Sequence, residues 1–134
     1  MTLVACRLSH VMIDERSDHH AVIVAEIEGR RRFPIAIGGA EALAIDRALK
    51  GQRFPRPLTH DLLSVVFDAT RAVLSEVRIV DLREGVFHAE LVIDAGGGRK
   101  HIDCRPSDAL ALAVRRIGCA LLVAEPVLAE ACAG

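Results

Sequence analysis

HIDCRPSDALALAVRRIG, residues 101–118, decides the fold. Its opening alternates: Ile102 and Cys104 are apolar, while His101, Asp103 and Arg105 point the other way, as in a strand. Pro106 ends the ladder, because it has no N–H to donate and its φ is fixed. The same proline suits a first helical position. Ser107 and Asp108 then suit the free N–H groups and positive dipole end of a first turn. Ala109, Leu110, Leu112, Ala113, Val114 and Ile117 make a broad apolar face, with Arg115 and Arg116 in the last turn and Gly118 as the stop. A strand therefore runs directly into a helix, and polar groups crowd the junction.

Upstream, VFHAELVIDA ends in the Gly-rich loop AGGG at 95–98, which predicts a tight hairpin turn at Gly96-Gly97. That register sets Asp94 opposite Arg99, Leu91 opposite Ile102 and Ala89 opposite Cys104. Phe87, Ala89, Leu91, Ile93, Ile102 and Cys104 then share one face, which supports the parity. The other face carries His88, Glu90, His101, Asp103 and Arg105. Glu90 falls directly across from Asp103, and two such carboxylates repel unless a cation, a proton or a basic neighbour intervenes.

The first half of the chain reads as a meander. LVACRLSHVMI at 3–13, HAVIVAEIE at 20–28 and FPIAI at 33–37 are strands separated by polar turns. Arg30-Arg31-Arg32 is the densest basic run and reads as a solvated turn. Gly38-Gly39 releases a helix from about Ala40 to Lys50, stopped by Gly51. After the stiff connector QRFPRPL, Thr59 is a good N-cap, with His60 and Asp61 in the first turn and Leu58 and Leu63 spaced as a hydrophobic staple. This helix runs to about Ala72. VLSEVRIVDLRE follows as a strand, with a turn at Glu84-Gly85, and the last strand is Ala120–Ala124 before a short apolar tail. The expected order is β-β-β-α-α-β-β-β-α-β: an α+β domain, mostly antiparallel, with about three helices.

At 134 residues, the chain fits one domain over 1–134 with a core at about 3–128. A hydrophobic share of 51% with 26% charged residues excludes a disordered chain. Apolar runs are too short for a membrane span and no signal segment opens the chain, so a cytoplasmic location without membrane contact is expected. Seventeen basic against eighteen acidic residues leave a net charge of −1, so contact with a polyanion needs local clustering or a composite oligomer surface. Four Phe with no Trp or Tyr argue against a base-stacking platform. The cysteines, Cys6, Cys104, Cys119 and Cys132, lack zinc spacing. Cys104 and Cys119 read as small core residues.

Two chemistries suit the polar junction. Carboxylates with a divalent metal, or an acid/base pair, could activate water and neutralise phosphoryl oxygens, with the planar fork of Arg105 holding a phosphate. Alternatively, the same groups form ordinary ion pairs on a solvated sheet face. His60 and Asp61 diverge by about 100° on their helix, so one can cap while the other meets the Arg105–Asp108 junction. Arg56 is placed to pair with Asp103 or Asp108. A charged network tying helix starts to the sheet is the competing reading.

IDCRPSDALALAVR at 102–115 and RPLTHDLL at 56–63 resemble the two signatures of the bifunctional nuclease family, and FPIAIGGAEALAI at 33–45 resembles its strand-to-helix segment. The three occur in that family's order, and the resemblance covers roughly residues 3–128. His88 and Cys104 depart from the usual pattern. The resemblance implies phosphodiester hydrolysis in DNA and RNA, assisted by Mg or Mn. Asp103, Asp108, His60 and Asp61 are then candidate catalytic groups, Asp103 and Asp108 also as metal ligands. Arg56, Arg105 and Ser107 would bind substrate. Nucleic acid is the implied partner, and a homo-oligomer is expected. The rival from another class is a non-catalytic interaction or assembly module whose signature residues form a structural ion-pair network.

Overall fold

The hairpin around the Gly-rich loop sets the frame. In the computed structural model, which describes residues 1–133, Val86–Asp94 and Arg99–Cys104 pair antiparallel, with Leu91 opposite Ile102 and Glu90 opposite Asp103. The expected register holds because positive φ at Gly96 and Gly97 permits the tight turn.

In chain order the elements are β1 (Leu3–Ile13), β2 (His20–Glu26), β3 (Arg32–Ile37), α1 (Gly39–Leu49), α2 (Thr59–Ala69) and β4 (Val73–Arg83). Then follow β5 (Val86–Asp94), β6 (Arg99–Cys104), α3 (Pro106–Ala113), β7 (Ala120–Ala124) and α4 (Glu125–Ala131). The sheet order is β3-β2-β1-β7-β4-β5-β6: two antiparallel meanders with β7 inserted between them, parallel to β4. Phe33 of β3 stacks on Phe87 of β5 at 5.4 Å between ring centroids. Those strands lie near opposite ends of the sheet order, so the sheet must curl. Ile45, Leu110 and Leu112 of the helices meet Val24, Ile79 and Val123 of the strands in one buried cluster. No helix among the described residues is long and apolar enough to cross a membrane.

The α+β class and the order of its first ten elements are as expected, with four corrections of detail. A fourth helix stands where an apolar tail was expected. At seven residues α4 is too short to display a period, yet Val127 and Leu128 are buried and Pro126 opens its first turn. Leu58, rather than Thr59, occupies the N-cap of α2, because the Asp61 carboxylate accepts the Leu58 N–H at 3.1 Å. That shift moves the staple spacing off Leu58 and Leu63. α3 stops at Ala113: the Arg115 and Arg116 N–H groups turn back three residues to Leu112 and Ala113. Finally, Arg31 is no solvated turn residue. It bridges Glu26 at 2.7 Å and Glu125 at 2.8 Å, tying the β2–β3 turn to the start of α4.

Cys6 is buried, whereas Cys104 and Cys119 are half-buried and pack against the core. Burial pushes the Cys6 and Cys119 thiols up to about 11 and Cys104 to about 12, so these three stay protonated at neutral pH.

The β4–β5 turn offers a clean backbone test. Glu84 and Gly85 have φ of 50° and 79°, and a Cβ on Gly85 would meet nothing within 4 Å. Gly85→Ala should therefore cost about 1 kcal/mol through backbone strain alone. A urea titration that finds the midpoint unchanged refutes this.

Candidate functional site

Three helix ends converge where β6 passes into α3. Arg105 is the N-cap residue of α3, held extended by the proline that follows it. Asp108 stands in the first turn. Its Oδ2 accepts Arg105 Nε at 3.0 Å, and its Oδ1 accepts Arg105 Nη2 at 3.2 Å. The His60 ring, from the first turn of α2, places Nε2 2.9 Å from the same Oδ1. Arg105 Nη1 reaches on to Glu41 Oε1 of α1 at 3.2 Å. Four charged or polar side chains from three helix starts thus form one chain: Glu41, Arg105, Asp108, His60.

The electrostatics favour an ionised Asp108. Burial opposes its charged form, but hydrogen bonds from Arg105 and His60 outweigh burial and hold the carboxyl below its ordinary range. Asp108 in turn makes Arg105 harder to deprotonate. With Asp108 ionised, His60 donates through Nε2, which leaves Nδ1 as the basic nitrogen. No side chain among the described residues engages Nδ1. A groove of about 610 Å³ opens here, lined by Arg47, His60, Arg105, Asp108 and Arg115 together with Glu41. The chain's net charge is near zero, yet three guanidinium groups line this one groove.

Asp61 turns away from His60, as the helical angle between neighbours requires. Its Oδ1 accepts Arg115 Nε at 2.7 Å, while Oδ2 takes the Leu58 N–H. Arg115 also donates to the Ala111 carbonyl at 2.8 Å and the Ala44 carbonyl at 3.0 Å. One guanidinium therefore links α1, α2 and α3. Beside it, Arg116 pairs with Asp68 at 3.0 Å and donates to Ser64.

Other candidates lie elsewhere. Asp103 alternates to the face away from Ile102 and Cys104, which line an apolar hollow with Asp108. Asp103 sits beside Glu90, and Glu90 accepts His101 Nδ1 at 3.0 Å with Arg78 Nη1 3.8 Å away. Arg56 is exposed and pairs with neither Asp103 nor Asp108 among the described residues. Ser107 is the one buried polar residue of those described, and it lines a smaller cleft with Gly38 and Arg105. Sequence reasoning missed Glu41, Arg47 and Arg115. Glu41 and Arg105 are 64 positions apart, so no local spacing announces their contact.

Asp103 and Asp108 do not come together as a joint site for Mg or Mn. Among the described residues no group of three or more His, Cys, Asp or Glu side chains is placed to hold a metal. Both Asp108 oxygens are already engaged by Arg105 and His60, and Asp103 lies on a different face.

A curled α+β sheet whose helix starts meet in a His–Asp–Arg cluster beside an arginine-lined groove defines a compact class of domain. Residues 22–133 match the bifunctional nuclease domain, and the chain belongs to that family. Two Mycobacterium tuberculosis proteins are similar to it: uncharacterized protein MT1877 of strain CDC 1551 / Oshkosh and uncharacterized protein Rv1829 of strain ATCC 25618 / H37Rv. Each is 40% identical over 125 residues, covering 93% of this chain and 74% of the relative.

Proposed function

We propose that the groove holds the sugar–phosphate backbone of DNA or RNA and that the His60–Asp108 pair serves phosphodiester hydrolysis there. The observation that carries this reading is the 2.9 Å contact between His60 Nε2 and an Asp108 carboxylate already clamped by Arg105, at the wall of the groove. A carboxylate that fixes the proton on one ring nitrogen leaves the other free to take a proton from an attacking water. The water oxygen would bond to phosphorus as the P–O bond to the departing oxygen breaks. That oxygen takes a proton from solvent water, and the imidazolium formed at His60 releases its own proton to solvent, so the ring is neutral again. Arg105 uses three of its five N–H donors on Asp108 and Glu41, so two remain for a phosphoryl oxygen. Arg47, whose guanidinium lies 5.6 Å from the Phe54 ring centroid, supplies a second positive charge. These steps use only side chains of this chain.

The structural-network reading fits Asp61 and Arg115 better than catalysis does. Arg115 spends its donors on α1, α2 and α3, and Asp61 on a cap and that arginine. Asp103, beside Glu90 and apart from the His60–Asp108 pair, has no step in this chemistry.

End-labelled DNA and RNA oligonucleotides, incubated with the purified protein in Mg, Mn or chelator, test the proposal. Cleavage of at least one strand type is expected. Arg47→Ala should weaken oligonucleotide binding about tenfold, the loss of one charge-assisted phosphate contact. Absence of cleavage above a mock purification, with binding indifferent to Arg47→Ala, overturns the reading in favour of a non-catalytic module.

A further inference from the structure

We propose that two copies of this chain pair through the free edge of β6, antiparallel about a two-fold axis at Ile102, with the outer face of α2 closing over the seam. The proposal does not rest on the chemistry assigned to the groove.

The two edges of the sheet differ. β3 carries Pro34, which cannot donate to a further strand, and Cys132 Sγ already contacts the Arg32 carbonyl. β6 has neither protection. It pairs only with β5, in a register without a bulge, and Arg99–Asp103 are all exposed.

Beside this edge lies an apolar face without a cover. Of the eleven residues of α2 only Phe67 is buried. Leu62 is 52% exposed, Val66 44% and Ile102 44%, and they border an apolar hollow of about 480 Å³. A monomer gains nothing by holding a helix with so much aliphatic surface in water.

Charge selects the occupant and the register. On the other face of β6, Asp103 stands across from Glu90, an unfavourable pairing of carboxylates, and Asp103 has no hydrogen-bond or ion-pair partner among the described residues. His101 gives Nδ1 to Glu90, leaving Nε2 unused. Across a two-fold normal to the sheet, paired residues must share parity. An axis at Ile102 sets Ile102 against its copy on the apolar face. It also sets His101 of each chain against Asp103 of the other, twice. Moving the axis to residue 103 opposes two Asp103 carboxylates; moving it to 101 opposes two histidines and puts Lys100 against Ile102. A second copy of this chain therefore supplies both the apolar cover and the missing partner for Asp103.

Sedimentation velocity over a rising concentration series tests this, with circular dichroism confirming that each variant is folded. The wild-type chain should show a monomer–dimer equilibrium. Ile102→Arg and Val66→Glu, at exposed positions, should each weaken it at least about tenfold. His101→Asp should also weaken it, by facing Asp103 of the second copy with a like charge, and His101→Asp/Asp103→His should restore it. A chain monomeric at every concentration overturns the proposal. So does a dimer indifferent to Ile102→Arg and Val66→Glu, or an exchange that restores nothing.

Discussion

Asp108→Asn is expected to lower phosphodiester cleavage by about 10²–10⁴-fold while leaving the domain folded. The substitution keeps the shape of the side chain and removes its charge. An Asn amide at this position can offer His60 Nε2 an N–H in place of a carboxylate oxygen, which favours the tautomer that puts the proton on Nδ1. The ring would then be held with its basic nitrogen turned inward. Glu41→Gln is the matched control. It weakens the Arg105–Glu41 pair at 3.2 Å and leaves both Asp108 contacts in place. Under the catalytic reading, Glu41→Gln retains most of the activity. Under a purely structural reading, both variants lose activity in step with melting temperature, and that result would sink the catalytic assignment. The pH dependence has a definite sign. The folded-state pKa of Asp108 is depressed below 3.8, so the stability its ionised form contributes is present above that value and disappears as pH falls through the lower folded one. Loss of cleavage near pH 5 would therefore not come from protonation of Asp108.

Much of this corner could be read from the sequence because it is local. Pro106 following an alternating strand forces a strand-to-helix junction, and it fixes Arg105 and Asp108 three residues apart on the first turn of α3. The glycine turn and the apolar parity of β5 and β6 fixed the hairpin register in the same way. That parity also separates Asp103 from Asp108: a strand sends Asp103 to the face opposite Cys104. What could not be read is long-range. Glu41–Arg105 and Asp61–Arg115 span 64 and 54 positions, and for the 48-position contact at Asp108 the sequence offers His60 or Asp61 without saying which. Such pairings depend on how helices cross, and no spacing within one helix encodes that. The N-cap of α2 slipped by one residue for a different reason. Thr59 has the right chemistry, but Asp61 at the third helical position reaches back to the Leu58 N–H and fixes the boundary there.

The largest stability effect is expected at Arg115. Its side chain is only 8% exposed, and its guanidinium satisfies the Asp61 carboxylate and the carbonyls of Ala44 and Ala111 together. Arg115→Met keeps much of the packing volume, leaves the Asp61 carboxylate without its guanidinium partner and removes the side-chain donors to the Ala44 and Ala111 carbonyls. Removing one member of a buried pair costs about 3–5 kcal/mol, and Asp61, 36% exposed, can recover some hydration, so about 3 kcal/mol is expected. For a domain of this size that is roughly 10 °C in melting temperature. The comparison belongs at one protein concentration, because self-association would raise the apparent stability. Arg115→Lys should fall between, since an ammonium on a flexible stem cannot reproduce the planar fork. Acid separates the ion pair from simple packing. Burial works against ionised Asp61, but the Arg115 and Leu58 hydrogen bonds outweigh it and lower its pKa below 3.8. The Asp61–Arg115 contribution is thus complete above that value and is lost as pH falls through the lower folded one. The gap between urea curves of wild type and Arg115→Met should accordingly narrow in strong acid, to the share held by packing and the two carbonyls, and widen above about pH 4. A gap that stays constant across that range would show that packing, and not the charge on Asp61, holds the three helices to one another.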